Sequence, residues 1–277
     1  MMVFGIEITL WLVCGVILSL IVAAVVFFFV LLQLFIYMTT GVCKSKRKMN
    51  GKTVIITGCT SGIGKETARD LAHRGARLIM ACRNVQAANK LKDLLKRSKP
   101  SRVVVVASEL YRLASLNLDN LNPVTTFPAY LYYVSKYANI VFSLELARRL
   151  EGTGITVNCL HPGLIDSGIW RSVPAPLSWG LYLIIRGFFK TPKQGAQTTI
   201  HLAVSEELEG VTGKYFLDCR VSILTFDSIL VTSNTSSNSF QFQEYGLSSG
   251  VKDPAKAKKF WELSETIVNL QSSDPKI

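Results

Sequence analysis

Charge of either sign is missing from Leu10 to Tyr37, and only Ser19 and Gln33 are clearly polar in those 28 residues. About 20 apolar residues cross a bilayer as a helix, so this run is expected to span one. Lys and Arg are also missing ahead of the run. A cleaved signal peptide needs a basic leading segment and a shorter apolar core, so an uncleaved anchor is expected instead. Histidine is scarce, with three in 277 residues, and no cluster of His, Cys and Asp exists. That argues against a bound metal. The six cysteines Cys14, Cys43, Cys59, Cys82, Cys159 and Cys219 include no close pair, which argues against a disulfide frame and for reduced thiols. Acidic residues are few, 19 against 31 basic. No zinc spacing, stacking aromatics or basic helix accompanies the excess, so nucleic acid is not an expected partner.

What is present is strongly apolar. Hydrophobic residues make up 49% of the chain and mean hydropathy is +0.30, which excludes a disordered polymer. Lys44, Lys46, Arg47, Lys48 and Lys52 follow the apolar run immediately. Basic residues beside a span stay on the cytosolic side, so the remainder should face the cytosol, with anionic lipid as a contact for the cluster. The expected organisation is an anchor at 1–43, spanning about 10–37, and a domain at 44–277.

Within that domain Thr53 to Thr57 is a short strand candidate, and Thr57-Gly58-Cys59-Thr60-Ser61-Gly62-Ile63-Gly64 leads into a helical pattern through Arg74. Arg77 to Cys82 is the next apolar run, closed by Arg83. Strand, glycine turn, helix and strand open a nucleotide-binding βαβ unit. Gly58 permits the tight turn; Gly62 and Gly64 permit close backbone approach to a pyrophosphate at the helix N-terminus. An acid at position 83 would suit a ribose 2′-hydroxyl. Arg83 suits a 2′-phosphate, so NADP(H) is favoured over NAD(H). A solvated surface arginine is the plainer alternative.

Arg102 to Ala107 has the β-branched density of a buried parallel strand. Ser108 follows its C-terminal end, where open α/β sheets gather reacting groups; a turn-capping serine is the alternative. Tyr132 and Lys136 lie four apart on a long helical pattern, 132–150, and so share a face. A phenol with a pKa near ~10 is a poor acid/base at neutral pH, and a neighbouring ammonium favours its phenolate. Ile155 to Leu160 forms a further strand, followed by His161-Pro162-Gly163, a sheet-edge turn suited to walling a nicotinamide, with His161 structural. Thr191-Pro192 caps a helix to about Val204, Tyr215 to Leu217 reads as a last strand, and Asp253-Pro254 caps a final helix. In that helix Phe260, Trp261, Leu263, Ile267 and Leu270 are packing candidates. The polar low-complexity stretch 222–247 is expected to be a loop insertion. The apolar stretch from Trp170 to Phe189 is expected to form a substrate lid that also rests on the bilayer, with packing against the core as the alternative.

These motifs together resemble the short-chain dehydrogenase/reductase family, in particular its membrane-anchored retinol dehydrogenases. The resemblance rests on Thr57-Gly58-(x)3-Gly62-Ile63-Gly64, Ala81-Cys82-Arg83-Asn84, Tyr132-(x)3-Lys136-Tyr137-Ala138-Asn139, His161-Pro162-Gly163 and Gly213-Lys214-Tyr215-Phe216-Leu217-Asp218-Cys219. It implies an α/β, Rossmann-like, doubly wound parallel sheet behind one N-terminal transmembrane helix. It implies Ser108, Tyr132 and Lys136 as catalytic residues. Gly58, Thr60, Ser61, Gly62, Ile63, Gly64, Arg83, Lys136, Pro162 and Gly163 would hold the cofactor, with no metal. The implied reaction is NADP(H)-dependent hydride transfer with an apolar alcohol or aldehyde such as a retinoid. The implied location is the endoplasmic reticulum membrane, domain facing the cytosol, with the bilayer and a second copy of the chain as candidate partners.

The resemblance also implies a gap. Only 18 residues, 84–101, separate Arg83 from the valine strand. Two strands, an Asp that contacts adenine, an Asn-Asn-Ala-Gly stretch and a helix asparagine of the family are missing, about 70 residues in all for a doubly wound fold of this kind. One missing strand would be the neighbour of the first strand. The alternative function is therefore a catalytically impaired or inactive, membrane-tethered remnant with a binding or structural role, and weak or absent turnover is expected of this chain.

Overall fold

The computed structural model describes residues 2–81, 100–121, 128–166, 168, 175, 177–221 and 247–268. Arg83, Leu270, the expected insertion up to residue 246 and residues 170–174 and 176 of the expected lid lie outside them. The chain clusters into two compact units. One is Met1–Thr40 with Trp170–Phe189; the other is Gly41–Ile169 with Lys190–Ile277.

The first unit is built on α1, Met2–Thr39. Its residues from Trp11 to Thr39 form the one helix among the described residues long and apolar enough to cross a membrane. No proline interrupts it and nearly every side chain along the span is exposed, as expected of a helix whose solvent is lipid. The unit also holds α4, Leu177–Phe188.

The second unit begins as an extended strap. From Gly41 to Met49 alternate residues turn inward, while Val42, Lys44, Lys46 and Lys48 are exposed, the period of two that extended backbone imposes. Arg47, on the inward set, pairs with Glu209 at 2.7 Å, so this member of the basic cluster is tied to the domain. Strand β1 (Thr53–Thr57), helix α2 (Gly62–His73) and strand β2 (Arg77–Ala81) follow, with β1 and β2 parallel from Thr53↔Arg77 to Thr57↔Ala81.

A second sheet has the order β3-β4-β5-β6: Ser101–Val106, Ile155–His161, Tyr215–Leu217 and Arg220–Val221. Its first three strands are parallel. The last is antiparallel and was not foreseen. It folds back through Asp218 and Cys219, both at positive φ (49° and 59°), the geometry that matches hairpin twist. Helix α3, Pro128–Arg149, packs on this sheet and on the final helix α7, Pro254–Ile267, which follows the one-turn α6, Ser249–Lys252. Tyr137, Ile140 and Val141 of α3 join Tyr111, Cys159 and Tyr215 in one core cluster, while Leu146, Ala147 and Leu150 join Val157 and Trp261 in another. Trp261 is held further by stacking on Phe142 at 5.4 Å and by the Arg149 guanidinium 4.6 Å above its ring.

Among the described residues the sheet is thus the parallel, helix-flanked one expected, but in two pieces, with no ladder between β1 and β3. The break falls where the missing strand would neighbour β1. Burial records the consequence. In β4 five of seven residues are buried, in β1 none of five. What joins the pieces is α5, Pro192–Val204, fixed at its start by a reciprocal cap between Thr191 and Gln194. Ala196, Ile200 and Val204, spaced by four, pack with Met49 and Leu71 and against Val54, Ile56 and Leu78 of the first piece. Leu202, on another side, packs with Leu160, Leu208 and Phe216 of the second. Burying one such aliphatic side chain stabilises by ~1.5–3 kcal/mol.

Candidate active site

The glycine turn after β1 is open on its outer side. Gly58 and Gly62 adopt positive φ (64° and 56°), and a side chain at either would meet nothing within 4 Å. Gly64 is different. A Cβ there would lie 2.3 Å from the Gly58 carbonyl oxygen, so only glycine lets the loop close on the first turn of α2. Ser61 is the N-cap of α2, but its hydroxyl makes no capping bond. Thr60 and Ser61 are exposed, Cys59 is buried, and Ile63 turns into the core with Leu71. The arrangement presents unpaired helix N–H groups, a free hydroxyl and room for an anion, which fits the pyrophosphate of a dinucleotide.

The second group of residues gathers at the C-terminal end of β3. Lys136 Nζ donates to the Val106 carbonyl at 3.0 Å and sits 5.5 Å from the centre of the Tyr132 ring. The helix spacing therefore brings this pair together as expected. Burial pushes the Lys136 ammonium below the usual lysine range. Asn139, one further turn along the same face, donates to the same carbonyl at 3.4 Å. Its role was not foreseen, although the spacing 132, 136, 139 marks one helix face. Tyr132 also anchors Ser135, whose hydroxyl donates to the Tyr132 carbonyl at 2.7 Å.

Ser108 is buried and caps the 3-10 turn Glu109–Leu113, its hydroxyl oxygen accepting from Leu110 N at 3.3 Å. The capping alternative is thus realised. It occupies a lone pair and leaves the hydroxyl proton for another acceptor. The next residue ties this turn to β5, because the Tyr215 hydroxyl donates to Glu109 Oε2 at 3.0 Å. Tyr111, fully buried, packs edge-to-face on both Tyr137 and Tyr215 and accepts from Ser248 N at 3.3 Å. This tyrosine-lined support under Ser108 has no short-range sequence signature, since its members are about 20 to 100 residues apart.

After β4 the His161-Pro162-Gly163 turn runs beside Lys190. Ile165 bridges to Lys190, Lys190 N donates to Leu164 O at 2.8 Å, and the Lys190 ammonium pairs with Asp218. His161 Nδ1 is sealed from solvent without a hydrogen-bond partner. Burial, slightly offset by Glu109, lowers its pKa to about 4, so the ring is neutral near pH 7. That agrees with a structural His161.

The family model described as short chain dehydrogenase matches residues 52–117, from β1 to just beyond the Ser108 turn. Retinol dehydrogenase 14 of Homo sapiens is 32% identical over 317 aligned positions, which cover 80% of this chain and 88% of that protein. Human retinol dehydrogenase 11 is 31% identical, covering 67% and 83%. Because 80% of 277 residues is about 222, about 95 of the 317 positions face no residue here, which agrees with a missing internal segment. Among solved structures, an uncharacterized protein from Mycobacterium Paratuberculosis superposes with a TM-score of 0.53 at 22% identity, covering 86% of this chain and all of its own. The 3-alpha-hydroxysteroid dehydrogenase from Pseudomonas sp. B-0831, complexed with NADH, gives 0.50 at 16%, covering 60% of this chain and 94% of its own. Those two likenesses concern the fold alone. With 32% identity to a relative of which it covers 88%, the chain belongs to the short-chain dehydrogenase/reductase family, the nicotinamide-dependent oxidoreductases.

Proposed function

We propose that this protein is an NADP(H)-dependent oxidoreductase of apolar alcohols and aldehydes, retinoids among them, working at the cytosolic face of the endoplasmic reticulum membrane. The observation that carries the reading is Lys136, half-buried beside Tyr132 and bonded to the last carbonyl of β3. The relatives' names supply the retinoid.

A bound nicotinamide would supply the hydride acceptor or donor. Gly58, Thr60, Ser61, Gly62, Ile63 and Gly64 form the cradle for the pyrophosphate, and Pro162 and Gly163 wall the ring. Arg83 favours the phosphorylated cofactor through its charge. Ser108 donates its hydroxyl proton to the substrate oxygen, orienting the alcohol or carbonyl. Tyr132 takes the hydroxyl proton in oxidation and returns it in reduction. Lys136 holds its ammonium beside the phenol and has donors left for a ribose hydroxyl. Exposed Lys44, Lys46 and Lys48, following α1 on one edge of the strap, support a cytosolic orientation. A homodimer is the assembly we infer for the family's sake, and the sheet does not depend on it.

One specific observation favours a second reading, an impaired remnant. The cradle and the Tyr132 group belong to sheet pieces that share no strand ladder among the described residues. A titration of the full chain in detergent micelles, followed by NADPH fluorescence, separates the two. Saturable binding, tighter than for NADH, is expected. Absence of binding at millimolar cofactor would sink the enzyme reading in favour of the remnant. Given binding, Tyr132→Phe should abolish aldehyde reduction while leaving cofactor affinity intact, and retained turnover would remove Tyr132 from the proton transfer.

A further inference from the structure

Helix α4, Leu177–Phe188, carries one charged side chain, Arg186, yet several of its large apolar side chains are not folded away, although Ile185 is. Trp179 is 72% exposed, Tyr182 52% and Ile184 50%. Three observations within the first unit say what covers them. The first is where α4 touches α1. Phe188 meets Phe29 edge-to-face at 5.6 Å, and Gln33 donates its side-chain amide to the carbonyls of Gly187 and, at 3.4 Å, Arg186. Ser19, the other polar residue of the apolar run, satisfies itself on Gly15 O of its own helix at 2.8 Å. A Cβ on Gly187 would lie 2.5 Å from Phe29 Cε1, so glycine is what permits the approach. A small residue at the crossing and a polar side chain reaching the partner's backbone are how helices associate in lipid, where apolar surface alone gives no driving force.

The second is depth. The span Trp11–Thr39 has Val25 at its middle. At a rise of about 1.5 Å per residue, Phe29 and Gln33 lie about 6 and 12 Å from the bilayer centre, inside a hydrocarbon half-thickness of about 15 Å. A helix seated at that level is in contact with acyl chains. The third is the outer stripe of α4. Trp179, Tyr182 and Arg186 recur at i, i+3 and i+7, and the Arg186 guanidinium donates to the Tyr182 hydroxyl at 2.7 and 2.9 Å. Amphipathic aromatics with an arginine whose stem runs along them form the set that sits at headgroup level.

We propose that α4 is a second membrane element, embedded in the same leaflet that α1 leaves toward the domain and docked on α1 through Gln33 and Gly187. Its partner is the phospholipid itself: acyl chains against Ile184 and Phe188, headgroups beside Trp179, Tyr182 and Arg186. The inference rests on α1 being an anchor, and the test keeps the two apart.

An environment-sensitive fluorescent amino acid is placed singly at Val22, Trp179 or Ile184 of the full chain, reconstituted in dioleoylphosphatidylcholine vesicles. Brominated acyl chains and aqueous iodide serve as quenchers. The Val22 and Ile184 probes are expected to emit in the blue and to be quenched severalfold more by brominated lipid than by iodide, and the Trp179 probe to be quenched by both. Lipid quenching at Val22 with iodide quenching alone at Trp179 and Ile184 would overturn the inference and leave the anchor standing. Iodide quenching at all three would remove the anchor and the inference together. In addition, Gly187→Leu should shift the Ile184 probe toward iodide while the Val22 probe stays unchanged. An unmoved Ile184 probe would overturn the docking on α1.

Discussion

If α5 is what joins the two sheet pieces, truncating its inner face should release one piece without melting the other. Ile200 is the residue to cut, because it is 2% exposed and sits midway in the Ala196, Ile200, Val204 row against Leu71 and Met49. Ile200→Ala removes three carbons. Transfer at ~0.8 kcal/mol each gives ~2.4 kcal/mol, and the cavity left behind raises the total toward ~3–4 kcal/mol. A domain is stable by only ~5–15 kcal/mol, so the variant should still fold. A loss of ~3 kcal/mol confined to the junction raises local opening of β1, α2 and β2 by about two orders of magnitude. Hydrogen exchange of the full chain in micelles resolves this by peptide. Amides of β1 and α2 should exchange about 100-fold faster, those of β4 and α3 nearly as before. Leu146→Ala, in the Val157–Trp261 cluster, is the converse control and should loosen α3 and β4 first. Equal acceleration in both pieces under Ile200→Ala would refute the reasoning, because it would mean one cooperative unit despite the missing ladder.

Three further outcomes are expected. Gly64→Ala should weaken NADPH binding in the fluorescence titration by about tenfold or more, because its Cβ falls 2.3 Å from Gly58 O and the cradle must open; unchanged affinity would place the cofactor elsewhere. His161 is held neutral down to about pH 4, against an ordinary 6.5. The sign follows from the unfolded chain taking up the proton first. The full stability is present above pH 6.5 and is lost as pH falls toward 4, by ~3 kcal/mol at the limit. His161→Gln should flatten the urea midpoint between pH 7 and 4.5 relative to the parent, and parallel curves would show the ring is not so held. Lys136→Met leaves the Val106 carbonyl with Asn139 alone and should lower both kcat and cofactor affinity. Lys136→Arg should recover affinity more than kcat, because the longer fork displaces the charge from Tyr132.

Elements with strong local pattern were legible: the glycine turn between β1 and α2, the valine strand β3, the Thr191-Pro192 and Asp253-Pro254 caps, and the Tyr132/Lys136 face. Asp253 accepts from Ala255 N and Lys256 N at 2.9 and 3.2 Å, as its position before a proline implied. Features made by distant residues were not legible. Gln33 meets α4 across more than 150 positions, and Glu109 meets Tyr215 across 106. Strand β6 escaped because Asp218-Cys219 lacks the glycine or asparagine that ordinarily marks such a turn. Ile267 was expected to pack and is 66% exposed. Ala257 and Trp261 are four apart and share the buried stripe of α7, whereas a residue six beyond Trp261 is rotated about 240° from it. Arg83, the residue on which the choice of NADP(H) turned, falls outside the described residues and keeps that choice with the sequence.

The missing strand bears on rate more than on chemistry. Tyr132, Lys136, Asn139 and Ser108 all belong to the larger piece, where a continuous parallel ladder from β3 to β5 holds them. The glycine cradle belongs to the smaller one. On the proposed mechanism a hydride moves only when the two are in register, and a misplacement of about 1 Å can cost about 100-fold in rate. In a full sheet a backbone ladder sets that register. Here side-chain packing around α5 sets it, and packing yields where a ladder does not. The loss should therefore appear chiefly in kcat, with acid–base behaviour retained. Replacing residues 84–100 by the longer corresponding segment of human retinol dehydrogenase 14 would supply a strand beside β1. The chimaera should protect β1 amides from exchange and raise kcat by up to about 100-fold at unchanged pH profile. A protected β1 with kcat unmoved would mean that the register was already correct and that the deficit lies in the Tyr132 group itself.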